Sequence, residues 1–175
     1  MASTKILLFS FCCLMANCLF AQQPPAADDP YELNYQKRIK KQRLNGVYIP
    51  KDLYDAFSQL DRLMDLKTRA EFQLLPEARA GRKFYLIMWI VNNWGFYEGS
   101  RLSHYIRQLG ITHPEHMAHF LVITYHRKLN KKELDLKERV EFYKEKEEKL
   151  KEKNRTILFE EKRKREQPQE KQENK

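Results

Sequence analysis

The chain has 175 residues and carries 33 Lys and Arg against 24 Asp and Glu, so its net charge is +9. This length suits one compact domain with extensions. All three cysteines (Cys12, Cys13 and Cys18) lie near the N-terminus, so the rest of the chain has no thiol for catalysis, disulfides or metal binding.

Residues 1–21 have the pattern of a secretory signal peptide. Lys5 precedes an apolar stretch that ends at Ala21, and a polar segment rich in Gln, Pro and Asp follows. Polar residues interrupt the apolar stretch, which favours cleavage near Ala21 over a retained membrane anchor. Cleavage before a lipidated Cys18 is a less favoured alternative. We therefore expect an exported protein, periplasmic or extracellular, associated with the cell envelope.

Composition divides the remaining chain into three segments. Residues 22–45 are a polar linker with a predicted short helix, residues 46–130 hold nearly all the large apolar side chains, and residues 131–175 form a highly charged tail. The tail is too polar to bury a core of its own, so we expect a charged helix, frayed or disordered at its end.

The spacing of apolar residues in the central segment predicts an all-α fold, a compact five-helix domain followed by a long charged C-terminal helix. The five helices are expected over about residues 50–64, 65–75, 83–93, 100–109 and 112–125.

Helix-capping residues mark the starts of these helices. Pro50 suits a first helical turn, Asp65 and Ser100 are predicted N-caps, and Thr112 with Glu115 has the spacing of a capping box. The helix over residues 83–93 is apolar on all sides, which predicts the central, enclosed helix.

Several short motifs support a family resemblance. They are Tyr48–Leu53, Met88–Gly95, Gly99–Ser103, Leu109–Pro114 and Thr124–Arg127. Together they resemble a bacterial domain-of-unknown-function family, number 6794, over roughly residues 45–143. The resemblance implies a small bacterial helical domain and no particular activity.

The loop between the third and fourth helices is the candidate ligand-binding site. It combines Trp94, Tyr97, Glu98 and Arg101, which could stack on a sugar ring or clamp a peptide, and binding groups are often placed on loops of a rigid scaffold. The alternative interpretation is that these aromatic and capping residues maintain the fold.

The fifth helix carries a weaker candidate for metal binding. His116 and His119 lie about 60° apart on a helix and could both reach one ion, with Glu115 beside them. A zinc site needs three or four ligands, so the favoured interpretation is half-buried histidines without metal. No catalytic residue and no cofactor is predicted.

The tail has a heptad pattern of seven positions. They are Leu136, Val140, Tyr143, Glu147, Leu150, Asn154 and Ile157. A lone charged helix and a two-stranded coiled coil that forms a homodimer are both compatible with this pattern, and the charged positions favour the lone helix.

The sequence therefore predicts a non-catalytic binding module of the periplasm or cell envelope. Its partner would be a protein or a cell-wall component, with no nucleic acid. Basic charge adds the option of peripheral contact with anionic envelope surfaces. The alternatives are a metal-assisted hydrolase that uses the histidines, and a structural spacer or coiled-coil dimer formed by the tail.

Overall fold

The computed structural model describes residues 29–173 and the side chains of residues 29–165. The described residues belong to two units, 29–34 and 35–173. The elements are α1 (Pro30–Arg38), β1 (Arg43–Leu44), β2 (Val47–Tyr48), α2 (Leu53–Leu63), α3 (Leu66–Leu74), α4 (Glu77–Ala80), α5 (Phe84–Asn93), α6 (Arg101–Leu109), α7 (Pro114–Leu129) and α8 (Leu136–Glu173). The signal-peptide prediction lies outside these residues.

The all-α prediction is confirmed, since helices dominate the described residues and the sheet is one small hairpin. The antiparallel strands pair Arg43 with Tyr48 and Leu44 with Val47. Each strand has two residues, too few for an alternating pattern that could be recognised in the sequence. The one-turn helix α4 was also not predicted, because four residues carry little periodic signal.

The central helix is α7, which contacts α3, α4, α5, α6 and α8. The prediction that the helix over residues 83–93 is enclosed is wrong. In α5, Ile87, Ile90 and Val91 are buried, whereas Phe84 and Tyr85 are exposed. Apolar side chains on every side of a helix allow the whole helix to be buried. The positions of the neighbouring helices determine which of these side chains are in fact buried.

Local capping chemistry was predicted well at two helices. Asp65 and Ser100 cap α3 and α6 by accepting a hydrogen bond from the backbone three residues later. At α2, however, the cap is Asp52. Pro50 therefore precedes the helix and does not lie in its first turn.

The predicted capping box at the start of α7 is wrong. The N-cap residue is His113, and its side chain makes no capping hydrogen bond. The backbone and hydroxyl of Thr112 instead donate to Glu147 of α8. Glu147 also accepts from the backbone nitrogen of His113, so the N–H of the N-cap residue is satisfied by a residue distant in sequence.

The first turns of α8 pack against the domain. Val140, Tyr143 and Glu147 are buried, whereas Leu150 and Ile157 are exposed. Burial raises the pKa of Tyr143 to about 12. The heptad face predicted from the sequence is therefore buried over these turns, where it contacts the helical domain of the same chain.

An ion-pair cluster joins three helices on the same side. The carboxylate of Glu77 in α4 lies 2.9 Å from Arg127 of α7 and 2.5 Å from Arg139 of α8. Burial alone would raise the pKa of Glu77, but the hydrogen bonds and positive charge of both arginines hold it below its ordinary value. This cluster gives α8 a second attachment to the domain.

Candidate ligand-binding site

A polar cleft of about 340 Å³ lies between the β-hairpin and the end of α5. Its polar lining consists of Arg38, Asn45, Asn92, Asn93, Tyr97 and Glu98, and its apolar lining of Leu44, Val47 and Val91. The cleft therefore coincides with the N-terminal half of the loop that the sequence singled out.

Arg38 of α1 holds this loop in place. Its Nε donates to the carbonyl of Gly99 at 2.9 Å, and its Nη1 lies 2.9 Å from the carboxylate of Glu98. Gly99 has a φ of +88°, and a Cβ there would come within 2.3 Å of the Tyr35 ring. A residue with a side chain would clash at this position, so glycine is required.

The hairpin forms the opposite wall of the cleft. Its turn contains Asn45 with a φ of +49° and Gly46 with a φ of +81°, the left-handed conformations that a two-residue hairpin turn needs. This turn places Asn45 at the cleft, while the buried side chain of Leu44 belongs to the hydrophobic core.

Side chains of α5 and the following loop supply the other polar groups. Asn92 is exposed, and Asn93 donates to the carbonyl of Trp89 at 2.9 Å. Tyr97 is 52% exposed, and its hydroxyl lies 3.5 Å from the carboxylate of Glu115. The cleft thus offers a solvent-facing aromatic ring beside several amides and a carboxylate.

Trp94 lies in the hydrophobic core. Only 1% of it is exposed, and its ring contacts Trp89 edge to face, with 5.8 Å between ring centroids. Of the predicted residues, Tyr97 and Glu98 line the cleft, whereas Trp94 packs behind it.

Arg101 lies outside the cleft and connects α6 to the segment before α2. Its Nε donates to the carbonyl of Ile49 at 2.6 Å, and its guanidinium lies 5.0 Å from the centre of the Tyr48 ring. Asp55 is 3.9 Å away. One N–H donor and one face of this guanidinium are thus used within the fold, while its buried Nη2 has no hydrogen-bond partner among the described residues.

The two histidines proposed for metal binding have other contacts. The Nδ1 of His116 lies 3.3 Å from Glu147, and His119 bonds the backbone of Gly81. Burial lowers the pKa of both rings. Among the described residues, no group of three or more His, Cys, Asp or Glu is placed to hold a metal ion.

Glu147 is a buried acid for which the sequence predicted no functional role. It accepts from the backbone nitrogens of Thr112 at 3.0 Å and His113 at 2.9 Å, and from the Thr112 hydroxyl. Burial opposes its ionisation, but these hydrogen bonds outweigh that effect and lower its pKa. The available signal was the presence of a glutamate in the heptad pattern, whose other polar member is Asn154.

Within residues 29–173, no helix is long and apolar enough to cross a membrane.

Comparison with known proteins gives one family. The family described as "Domain of unknown function (DUF6794)" matches residues 49–129, a range that begins just before α2 and ends with the last residue of α7. No curated protein and no solved structure matches the chain. The resemblance read from the sequence motifs is thus confirmed, since residues 49–129 match the model of the DUF6794 family.

Proposed function

We propose that this chain is an exported bacterial binding module, without catalytic activity, that holds a polar component of the cell envelope in the cleft beside Tyr97. The observation that carries the proposal is the composition of the cleft: three asparagines and a carboxylate line it together with an exposed aromatic ring. Such a combination suits recognition of a ligand by hydrogen bonds with stacking on one face.

A sugar of the cell wall is the ligand class that fits this chemistry best. Each asparagine side chain both donates and accepts, which matches the dual character of sugar hydroxyls. The face of Tyr97 can cover the apolar face of a sugar ring. Arg38 is engaged with Glu98 and Gly99, so the cleft is less suited to a strongly anionic ligand.

Export remains part of the proposal and depends on residues 1–21. Their basic start, apolar stretch and following polar segment support a cleaved signal peptide. Mass spectrometry of the protein released from its native host would test this. An N-terminus at Gln22 supports export with cleavage after Ala21, whereas a lipid-modified Cys18 supports an anchored form.

Self-association through the tail is a second candidate role, in which α8 acts as a spacer or as one strand of a coiled coil. Beyond its contacts with the domain, α8 has several exposed apolar side chains. They are Leu150, Ile157, Leu158 and Phe159. Sedimentation equilibrium of the chain from Gln22, compared with a version ending at Asn154, would show whether this region forms dimers.

The metal-assisted hydrolase gains less support. His116 bonds Glu147, which already accepts from two backbone N–H groups. Moving this carboxylate to a metal would leave the start of α7 without its cap.

The cleft hypothesis can be tested by co-sedimentation of the chain from Gln22 with purified cell-wall sacculi, followed by titration with soluble wall glycan fragments. Tyr97→Ala and Asn92→Ala are each expected to weaken binding at least about tenfold. Tyr54→Ala is the matched control, because Tyr54 is an exposed tyrosine of α2 outside the cleft.

The free energy of unfolding should be the same for Tyr97→Ala and the wild type, because the Tyr97 ring is largely exposed. Failure of the wild type to bind sacculi or any wall fragment would refute the sugar hypothesis. Unchanged binding by Tyr97→Ala would refute the assignment to this cleft.

A further inference from the structure

Helix α5 exposes apolar side chains that folding does not explain. One side of the helix packs into the core through Ile87, Ile90 and Val91. At its N-terminal end, however, Tyr85 is 90% exposed and Phe84 is 65% exposed. Large apolar groups left in water together commonly mark a surface that binds something.

These side chains form one continuous surface with Leu63, the last residue of α2, and with the following Met64. Leu63, which is 55% exposed, and Met64 line an apolar groove of about 330 Å³ together with Tyr85. Phe84 contacts Tyr85 edge to face, with ring centroids 6.2 Å apart. We call this surface the apolar patch, and its members are Leu63, Met64, Phe84, Tyr85, Leu86 and Trp89.

The residues that flank the apolar patch in sequence are basic. Arg62 precedes Leu63, and Arg82 with Lys83 precedes Phe84; all three are exposed. None of their side chains forms a hydrogen bond or ion pair with another residue that the structure describes. The nearby acidic residues are occupied elsewhere, because Asp61 bonds side chains of α7 and Asp65 caps α3.

We propose that the apolar patch is a docking surface for an anionic lipid membrane. Aromatic and aliphatic side chains of this size insert at the level of the lipid headgroups, where tyrosine is enriched. Basic side chains around them then reach the phosphates, as in peripheral proteins that combine apolar insertion with electrostatic attraction. Long Arg and Lys side chains can do this while their apolar stems cover the patch.

The flanking charges favour a lipid surface over a second copy of the chain. A symmetric dimer through the apolar patch would gather Arg62, Arg82 and Lys83 of both copies around one interface. Like charges facing each other in an interface are unfavourable. An anionic membrane instead complements all three.

The docking surface is separate from the cleft of the proposed function. The apolar patch and the cleft share no residue: the exposed Phe84 and Tyr85 begin α5, whereas Asn92 and Asn93 of the cleft end it. Ten residues of α-helix span about 15 Å. Membrane docking can therefore be tested independently of wall binding.

The experiment measures co-sedimentation of the chain from Gln22, which retains every described residue and lacks the apolar N-terminal stretch. Vesicles of phosphatidylcholine with phosphatidylglycerol are compared with vesicles of phosphatidylcholine alone. Two variants test the proposal, the Leu63→Ser/Tyr85→Ser double variant for insertion and the Arg82→Glu/Lys83→Glu double variant for charge. Each is expected to reduce binding to the anionic vesicles by roughly tenfold or more.

Matched controls separate the apolar patch from general surface effects. Phe142→Ser removes an aromatic side chain on α8 that is 59% exposed, and Lys131→Glu/Lys132→Glu reverses two exposed charges elsewhere. Both controls should bind vesicles more strongly than the corresponding patch variants. All variants should retain the far-UV circular dichroism of the wild type, since the changed residues are exposed.

Three outcomes would overturn the proposal. One is failure of the wild type to sediment with anionic vesicles. Another is equal loss of binding in patch and control variants. The third is a dimer in sedimentation equilibrium that Leu63→Ser/Tyr85→Ser abolishes while vesicle binding is unaffected, which would assign the apolar patch to self-association.

Discussion

The carboxylate of Glu147 lies 3.0 Å from the backbone nitrogen of Thr112, 35 residues earlier in the chain. It faces the start of α7, where the helix dipole and the unsatisfied N–H groups favour a negative charge. The most buried helix of the domain is therefore capped by a residue of α8. Because the family match ends at Leu129, this cap comes from outside the matched range.

Glu147→Gln should lower the free energy of unfolding by about 1–3 kcal/mol. Glutamine keeps one acceptor oxygen but loses the charge and one of the two carboxylate oxygens that bond Thr112. Urea denaturation followed by circular dichroism measures the difference. Glu148→Gln is the control, because Glu148 is exposed and pairs only with Lys151 among the described residues. Equal stability of the two variants would contradict the role of Glu147 as a cap.

The stability that Glu147 contributes should depend on pH. Its pKa in the folded protein is below the ordinary value of 4.5, so its contribution is complete above about pH 4.5 and is lost as the pH falls through the folded pKa. The stability difference between wild type and Glu147→Gln should therefore shrink below this range. Urea titrations at pH 7, 5 and 3.5 would show this, and a constant difference would refute it.

His116 should also make the protein less stable as the pH falls. Burial lowers its pKa below 6.5 in the folded protein, so the unfolded chain takes up a proton first as the solution is acidified. Stability from this residue is complete above about pH 6.5 and declines as the pH falls through the folded pKa. In a His116→Gln variant, the decline between pH 7 and pH 5 should be smaller than in the wild type.

Truncation should show that the fold extends beyond the family match. A chain of residues 22–130 loses Glu147 and the buried Val140 and Tyr143, so we expect a loss on the order of 5 kcal/mol or failure to fold. A chain of residues 22–154 retains these contacts and should melt close to a chain of residues 22–175. Differential scanning calorimetry compares the three. Similar melting temperatures for the two truncated chains would refute a structural role for α8.

Much of the helical architecture was predictable because its signals are local. The cap residues Asp65 and Ser100 act on backbone groups three residues away, a distance at which the sequence alone is informative. The hydrogen bonds of Thr112 were not predictable in this way. The capping-box pattern pairs Thr112 with the nearby Glu115, but in the structure Thr112 bonds Glu147, because α8 packs on α7.

The candidate site was predictable as a region but not residue by residue. The loop after α5 attracts attention through its aromatic and polar residues, and Tyr97 and Glu98 do line the cleft. Whether an aromatic residue faces solvent or the core depends on the neighbouring helices, which is why Trp94 could not be distinguished from Tyr97. The contribution of Arg38 was missed because it lies on α1, outside the motif.

Arg101→Ala should destabilise the protein, whereas Tyr97→Ala should not. Removing the guanidinium eliminates its hydrogen bond to Ile49 and leaves the carboxylate of Asp55 without one of its positive neighbours. The expected loss is about 1–3 kcal/mol. Chemical denaturation of both variants tests this expectation. Retained stability in Arg101→Ala would reopen a direct role for Arg101 in ligand binding.

Gly99→Ala should disturb both the fold and the cleft. At a φ of +88°, the new Cβ would lie 2.3 Å from the Tyr35 ring, so the ring or the loop must move, at a cost of roughly 1–3 kcal/mol. Because the Gly99 carbonyl accepts from Arg38, which also pairs with Glu98, the shift should also displace Glu98 in the cleft.

Gly46→Ala is the matched control, since Gly46 has a φ of +81° but no atom within 4 Å of the added Cβ. Both variants carry the backbone strain, and only Gly99→Ala adds the clash, so urea denaturation should show a larger loss of stability for Gly99→Ala. Equal losses in the two variants would mean that the contact with Tyr35 is relieved without consequence for the loop.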